Sequence, residues 1–139
     1  MMTAAAAEGK AGRAPFSPKP KILVVDDDAA VRRLLDLGLR YHGFQVCIAA
    51  NGPEAIELYE NHRDSIDLVL LDVKMPGLDG PSTLRALAEV NPQVRSAFMS
   101  GYTGHYSEDE LLRRGARCVF RKPFDLAELA GRLRQIIEN

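Results

Sequence analysis

Acidic, hydroxyl and basic side chains follow several short apolar runs of this sequence, at the points where strands are predicted to end. Asp26 and Asp27 follow one run, Asp72 closes another, and Ser100 and Lys122 end two later ones. Crowded carboxylates repel one another and hold protons unless a cation compensates, and oxygen ligands of this kind suit Mg²⁺. These residue types predict phosphoryl transfer to a carboxylate. Asp72 would be the nucleophile, Mg²⁺ and Lys122 would neutralise phosphoryl oxygens, and Ser100 would donate a hydrogen bond.

Each of these positions also has an ordinary structural interpretation. Asp28, the third aspartate of the first group, belongs to a residue type preferred for capping a following helix. Taken singly, Asp72 could merely end a strand, Ser100 could belong to a turn, and Lys122 could be a solvated cation. Two acidic strand ends meeting at one place are much less expected by chance, and this favours the chemical interpretation.

The positions depend on five strand-like runs that alternate with helix-like segments. The predicted strands span Lys21–Val25, Phe44–Ala49, Asp67–Leu71, Val94–Met99 and Cys118–Arg121. Strict alternation predicts an α/β fold, a parallel sheet with helices on both faces. Right-handed crossovers favour the flavodoxin-like, doubly wound (βα)5 arrangement with strand order 2-1-3-4-5. Ligands bind such sheets beyond the carboxyl ends of the strands, here between strands 1 and 3.

Periodicity and capping signals predict the helices. The first helix is expected to place Val31, Leu34, Leu35 and Leu39 on one apolar face and to end at Gly43. Proline or capping residues mark the starts of the other four helices, at Pro53, Pro81, Ser107 and Asp125.

Composition excludes several classes of protein. The 139 residues carry 18 Lys+Arg against 19 Asp+Glu, a net charge of −1, which argues against direct binding of nucleic acid through a broadly basic surface. The apolar runs are too short for a membrane span. Residues 1–20 are rich in Ala, Gly and Pro and predict a disordered tail, followed by one domain over residues 21–139.

The two cysteines are too few for a disulfide scaffold and favour a reducing, cytoplasmic location. Cys47 and Cys118 fall on the two edge strands of the predicted sheet. Four strand spacings separate them by roughly 19 Å, which is beyond the reach of a disulfide. Both thiols are therefore expected to be free.

Four motifs make the sequence resemble the receiver domain of bacterial two-component response regulators. They are ILVVDDD at 22–28, LVLLDVKMPGLDG at 68–80, MSGY at 99–102 and RKPF at 121–124. The resemblance implies that Asp72 is the phosphoacceptor, with Ser100 as the switch hydroxyl and Lys122 as the phosphate-binding lysine. It further implies a Mg²⁺ site formed by Asp26, Asp27, Asp72 and the backbone carbonyl of Lys74, and a cis peptide bond before Pro123.

The resemblance also implies partners. A sensor histidine kinase or a histidine phosphotransfer protein would donate the phosphoryl group to this domain. The phosphorylated domain would signal to an unknown downstream protein. It would not be an enzyme, apart from catalysing its own phosphorylation and dephosphorylation. Helix 4, strand 5 and helix 5 would form the output face and a homodimer interface. A group of arginines is expected on this face, where it would either bind a partner through its charge or simply be solvated. Its members are Arg113, Arg114, Arg117, Arg121, Arg132 and Arg134. No effector motif follows helix 5, so a stand-alone receiver is expected.

One position departs from the family pattern. Val119 stands where receivers carry an aromatic residue three positions before the lysine, and Phe120 should face the other side of the strand. Tyr102 is a candidate substitute for that aromatic residue. The loop that contains it, residues 100–106, is expected to change conformation on phosphorylation. The bulky Tyr102 side chain is also expected to slow hydrolysis of the phosphorylated aspartate by excluding water.

Three alternatives remain open from the sequence. A magnesium-dependent phosphatase could use Asp26 and Asp28 as an Asp-x-Asp motif, although Ala30 does not fit that pattern and Asp72 would not be needed. A flavin-binding module would need a phosphate loop after strand 1, where the aspartates instead repel phosphate. A receiver-like domain that only docks partners would not need the complete acceptor site.

Overall fold

The computed structural model describes residues 19–101 and 106–139. Most of the predicted tail, residues 1–18, lies outside the described part. The strands are β1 (Lys21–Val25), β2 (Gln45–Ala49), β3 (Leu68–Asp72), β4 (Ser96–Ser100) and β5 (Val119–Arg121). The helices are α1 (Ala29–Tyr41), α2 (Gly52–His62), α3 (Gly80–Val90), α4 (Glu108–Arg113) and α5 (Leu126–Glu138). None of the helices in the described ranges has the length and apolar character needed to cross a membrane.

The five strands form one parallel sheet in the order β2-β1-β3-β4-β5, which confirms the predicted topology. Two buried clusters cover its faces. One lies under α1 and α5 and includes Val24, Leu39 and Leu133; the other lies under α2, α3 and α4 and includes Val25 and Leu87. Both faces of the central strands are covered, so β3 is apolar at four successive positions.

Local capping sets the helix starts. Ser107 and Asp125 accept hydrogen bonds from the backbone N–H groups of Glu110 and Glu128, each at 3.0 Å, as the sequence predicts. Gly43 has a φ of 95°, the left-handed conformation expected just after the end of α1.

The predicted apolar face of α1 is wrong at one residue. Leu35 and Leu39 are fully buried, but Leu34 is 50% exposed. Leu35 and Leu39 lie one turn apart and pack together on the sheet, whereas Leu34 is rotated by about 100° from Leu35 and falls beside this contact. The strip of apolar side chains that α1 buries against the sheet is thus narrower than the sequence pattern indicates.

The cysteines lie at the two edges of the sheet as predicted, although Cys118 comes just before the last strand and not within it. Cys47 lies in β2 at one edge of the sheet, and Cys118 precedes β5 at the other. Both are free thiols.

Gly80, at the start of α3, packs its backbone directly on the residue that ends β3. A side-chain Cβ at this position would clash with the main-chain oxygen of Asp72 and lie 3.0 Å from the Cα of Val73. We expect Gly80→Ala to lower the free energy of unfolding by about 1–3 kcal/mol, as overpacking does. Urea denaturation measures this change.

Gly131→Ala is the matched control. Gly131 lies in α5, and an added Cβ would meet none of the described atoms within 4 Å. Alanine should therefore stabilise the helix by about 0.5–1 kcal/mol. Equal effects of the two substitutions would contradict the close packing of Gly80 on the end of β3.

Candidate functional site

Asp26 is held in place on three sides at the carboxyl end of β1. Its side chain is fully buried, and one carboxylate oxygen, Oδ1, accepts a hydrogen bond from the backbone N–H of Asp28 at 2.9 Å. Its main-chain oxygen accepts a hydrogen bond from the Arg32 guanidinium at 2.7 Å. The remaining carboxylate oxygen, Oδ2, accepts from Lys122 Nζ at 2.9 Å. These contacts fix the carboxylate at the sheet edge.

Lys122 connects two acidic strand ends from its position after β5. Its Nζ lies 2.9 Å from Asp26 Oδ2 and 3.3 Å from Asp72 Oδ1. Burial lowers the pKa of the ammonium group, but the hydrogen bond to Asp26 and the charges of both carboxylates outweigh burial and raise this pKa above 10.5. The peptide bond between Lys122 and Pro123 is cis, as the family resemblance implies. Lys122 therefore remains charged and faces the predicted site.

Asp72 is the acid with the perturbed protonation equilibrium. Burial is the largest cause and the charge of Asp26 the next, and together they raise the pKa of Asp72 to about 6 in spite of the opposing charge of Lys122. Crowding and burial thus make Asp72 bind a proton more readily than an ordinary aspartate does. A further cation at the site would favour its ionised form.

Three carboxylates converge in a group that could hold a metal ion. Asp26, Asp27 and Asp72 each offer an oxygen, and these atoms all lie within 4.8 Å of one another. Asp27 is exposed, which leaves one side of the group open to water. Carboxylate oxygens with room for water suit Mg²⁺, so the residues fit this ion. Lys74 is exposed, and the role of its backbone carbonyl stays a prediction.

Asp28 lies outside this group and caps α1 instead. Its carboxylate accepts a hydrogen bond from the backbone N–H of Ala30 at 2.9 Å. The capping interpretation of Asp28 is confirmed. A phosphatase mechanism that needs Asp26 and Asp28 as a pair is disfavoured, because the second carboxylate is engaged by the helix.

Ser100 brings a hydroxyl to the same edge. It ends β4, the strand beside β3, and is 3% exposed. Its Oγ has no hydrogen-bond partner within residues 19–101 and 106–139, and the same holds for Ser96 at the other end of β4. A buried hydroxyl without a partner is costly, so the Ser100 Oγ has hydrogen-bonding capacity that the described residues leave unused.

The strand ends therefore bring Asp26, Asp27, Asp72, Ser100 and Lys122 to one edge, in agreement with the sequence-based prediction. The model of the response regulator receiver domain family matches residues 22–134. The chain belongs to this family. It is a receiver domain, the phosphoacceptor module of two-component systems.

Individual relatives support the same assignment. The receiver is 38% identical over 109 residues to sporulation initiation phosphotransferase F of Bacillus subtilis, covering 78% of this chain and 86% of that protein. It is 37% identical over 140 residues to sensor kinase CckA of Brucella abortus, covering 97% of this chain and 14% of the kinase. The chain spans about half the length, or less, of several curated relatives that it matches.

A solved structure agrees with the fold of this receiver. The CheX–CheY–BeF3–Mg²⁺ complex of Borrelia burgdorferi contains a chain that matches with a TM-score of 0.78 and 30% identity. The match covers 84% of this chain and 88% of that chain.

The departure at Val119 has the predicted geometry. Val119 packs against the cluster under α2, α3 and α4, while Phe120 is buried in the cluster under α1 and α5. The two side chains of β5 thus face opposite sides of the sheet. Tyr102 lies outside the described residues.

Four of the six arginines expected on the output face have partners within the receiver. Arg114 lies 3.4 Å from Glu110, and Arg121 lies 3.9 Å from Glu108. Arg132 donates to the Cys118 thiol at 3.1 Å. Arg134 donates to the main-chain oxygen of His42 at 2.6 Å and lies 4.6 Å from the centre of the Phe44 ring. Arg132 and Arg134 are therefore engaged within the domain, whereas Arg114 and Arg121 remain exposed in weak surface ion pairs.

One contact near the site was not predicted from the sequence. The Tyr106 hydroxyl donates a hydrogen bond to Asp79 Oδ2 at 3.0 Å. The sequence signal at Tyr106, which precedes the Ser107 cap with Leu111 at the fourth helical position, predicts apolar packing between Tyr106 and Leu111 but not this hydrogen bond.

Proposed function

We propose that Asp72 is the residue that accepts the phosphoryl group in this receiver. The observation that carries the proposal is the contact of Lys122 Nζ with Asp26 and Asp72 inside a group of three converging carboxylates. Asp72 is the member at the centre of the sheet, at the end of β3, and its carboxylate lies within reach of the cation. A carboxylate nucleophile beside a fixed ammonium suits in-line phosphoryl transfer.

We further propose that Asp26, Asp27 and Asp72 hold Mg²⁺, with the backbone carbonyl of Lys74 as a fourth ligand. Bound Mg²⁺ would neutralise charge on the phosphoryl oxygens and draw the donor to the acidic edge. The Borrelia CheY chain is described in complex with BeF3 and Mg²⁺. That description of a relative with 30% identity supports the same ion here.

The remaining residues would act on the phosphoryl group directly. An oxygen of the Asp72 carboxylate attacks phosphorus, and the bond from phosphorus to the donor breaks with its electron pair leaving on the donor. Lys122 Nζ neutralises one phosphoryl oxygen and keeps Asp72 within its reach. Ser100 Oγ donates a hydrogen bond to another phosphoryl oxygen and so gains the partner that the buried hydroxyl lacks among the described residues.

Phosphorylation by a small-molecule donor tests the proposal. Wild type and Asp72→Asn are incubated with acetyl phosphate and Mg²⁺, and intact mass is measured. Wild type should gain one acid-labile phosphoryl group and Asp72→Asn none. Asp28→Asn is the matched control because asparagine still caps α1, and it should be phosphorylated like wild type. Phosphorylation of Asp72→Asn to the wild-type level would exclude Asp72 as the acceptor.

Partners and location belong to the same proposal. Receiver domains interact with histidine kinases and phosphotransfer proteins, and we propose one of these as the phosphoryl donor, with an unknown protein downstream. The homodimer through α4, β5 and α5 stays a prediction. The chain is a signalling domain, and we propose that its only catalysis is its own phosphorylation and dephosphorylation. Free Cys47 and Cys118 thiols support the predicted cytoplasmic location.

A further inference from the structure

A cavity of about 370 Å³ lies at the amino ends of the strands, at the opposite edge of the sheet from the acceptor site. Its wall includes residues from the end of α2, from the connections that precede β3 and β4, and from the turn that precedes β5. Asp67 belongs to this wall and directly precedes β3, whereas Asp72 ends that strand. The 5 residues of β3, at about 3.3 Å each, separate the two positions by roughly 16 Å. The cavity is therefore distinct from the acceptor site.

Three arginines from separate segments line this cavity. Arg63, at the end of α2, donates from its guanidinium group to the main-chain oxygen of Val90 at 2.7 Å. Arg95 directly precedes β4 and is partly buried. Arg117 donates its backbone N–H to the main-chain oxygen of Ser96, the first residue of β4, at 2.8 Å. The folded sheet thus brings together three cations that are far apart in the sequence.

The arginines bring more charge to the cavity than its acidic residues neutralise. Asp64 and Asp67 are the carboxylates of the wall, so three positive and two negative charges leave a sum of +1. Asp67 is already engaged, because its Oδ2 accepts a hydrogen bond from the backbone N–H of Lys21 at 2.9 Å. Within residues 19–101 and 106–139, none of the three guanidinium groups forms an ion pair with a carboxylate. A concave surface lined by one sign of charge favours a ligand of the opposite sign.

A buried phenol adds an uncharged donor to the same wall. Tyr59 is 2% exposed, and its oxygen accepts a hydrogen bond from Asn91 Nδ2 at 3.0 Å. The orientation of this amide is fixed, because Asn91 Oδ1 accepts from the backbone N–H of Gln93 at 3.0 Å. The phenolic proton is therefore left over, and it has no acceptor among the residues that the structure describes. Since an unsatisfied buried donor is costly and Tyr59 lines the cavity, this proton is available to a ligand there.

Donors that come from several directions suit a tetrahedral anion. Guanidinium groups bind phosphate through paired N–H groups, and the oxygens of one phosphate group can accept from different arginines and from a phenol. The cavity is larger than a phosphate group requires, since a water molecule occupies about 30 Å³ of liquid. Ile66 and Val94 add apolar wall beside the donors. The carbon part of a phosphate ester would pack on these two side chains.

We propose that this cavity binds a phosphate group through its three arginines and the Tyr59 hydroxyl, and that its volume and apolar wall favour a small phosphate ester over the free ion. The arginines would supply charge-assisted hydrogen bonds, and Tyr59 would donate the proton that lacks an acceptor. The site does not depend on phosphorylation of Asp72. A ligand in the cavity and a phosphoryl group on Asp72 would occupy opposite ends of β3.

Titration with ribose 5-phosphate, followed by amide ¹H–¹⁵N NMR without Mg²⁺, tests the site. The largest shifts should fall on residues 93–95 and 117, and ribose alone should cause none. Arg117→Gln should weaken binding about tenfold, because it removes a charge-assisted hydrogen bond. Arg33→Gln is the matched control, since it removes the same charge from an exposed position of α1 on the other face of the sheet. Its affinity should equal that of wild type.

A second variant and a second probe complete the test. Tyr59→Phe removes only the hydroxyl and should weaken binding about threefold. Tighter binding of ribose 5-phosphate than of inorganic phosphate would identify an ester as the ligand, and equal affinities would identify the free ion. Absence of shifts in the cavity wall at about 10 mM of either probe would overturn the site. Equal weakening by Arg117→Gln and Arg33→Gln would also overturn it, because the attraction would then be general. Neither result would affect the assignment of Asp72 as the acceptor.

Discussion

Lys122→Met is expected to lower the free energy of unfolding at pH 7 by about 3 kcal/mol, since removal of one partner leaves buried charge uncompensated. Methionine keeps much of the apolar stem and removes the ammonium group that lies 2.9 Å from Asp26 and 3.3 Å from Asp72. Both carboxylates are largely buried, with side-chain exposures of 0% and 11%. Urea denaturation of wild type and variant measures the difference.

The pH dependence identifies the cause of that loss. In wild type the Lys122 pKa is raised above 10.5, so its contribution is fully present below pH 10.5 and is lost as pH rises through the folded-state pKa. In Lys122→Met the deficit should shrink on acidification from pH 7 to pH 4, because Asp72 then binds a proton. Arg121→Met is the control, since its side chain is 74% exposed and should change stability by less than about 0.5 kcal/mol. A deficit independent of pH would show that lost packing is the cause.

Asp72→Asn is expected to raise the free energy of unfolding at pH 7.5 by about 2 kcal/mol in the absence of divalent ions. The folded-state pKa of about 6 lies above the usual 3.8, so the ionised carboxylate opposes folding. The full shift corresponds to an upper limit of about 3 kcal/mol, and the lost contact with Lys122 reduces it. The same substitution that abolishes phosphorylation should therefore produce a more stable protein.

The sign of the pH effect follows from proton uptake. Between pH 3.8 and about 6 the folded wild type binds more protons at Asp72 than the unfolded chain does, so this residue makes stability fall as pH rises through that window. The asparagine variant lacks this contribution, and the two proteins should converge below pH 4. Asp64→Asn, at an exposed position, should differ from wild type by less than about 0.5 kcal/mol at every pH.

Magnesium should reverse the order of stability. At a concentration 100 times its dissociation constant, a ligand that binds only the folded state stabilises it by about 2.7 kcal/mol. Wild type should gain this stabilisation and Asp72→Asn should gain much less, because one of the three converging carboxylates is gone. Equal stabilisation of both proteins would contradict the proposed metal site.

Much of the site could be predicted because its residues end strands. The apolar runs before Asp26 and Asp72 are local signals, and the parallel order puts both residues at one edge. Capping is equally local, and Ser107 and Asp125 behave as predicted. The side chains of Val119 and Phe120 were also predicted correctly to face opposite sides of the sheet, because successive side chains along a strand alternate between its two faces.

Contacts between distant segments could not be predicted in this way. Leu34 belongs to an apolar helix pattern and is exposed because the width of the buried stripe depends on what α1 packs against. Arg134 belongs to a group of arginines close in sequence, yet it reaches back to His42. The Tyr106–Asp79 bond joins two loops whose approach follows from the finished sheet. These features depend on tertiary geometry, which periodicity does not encode.

The bond between Lys122 and Asp26 closes a separation of 96 residues. Loop-closure entropy makes such a contact costly until the intervening strands are in place, so it is expected to form among the last in folding. A chain interrupted before β5 would carry the clustered carboxylates without their lysine. The domain can therefore accept a phosphoryl group only after it has folded completely, and a partly folded receiver would not be phosphorylated by its donor.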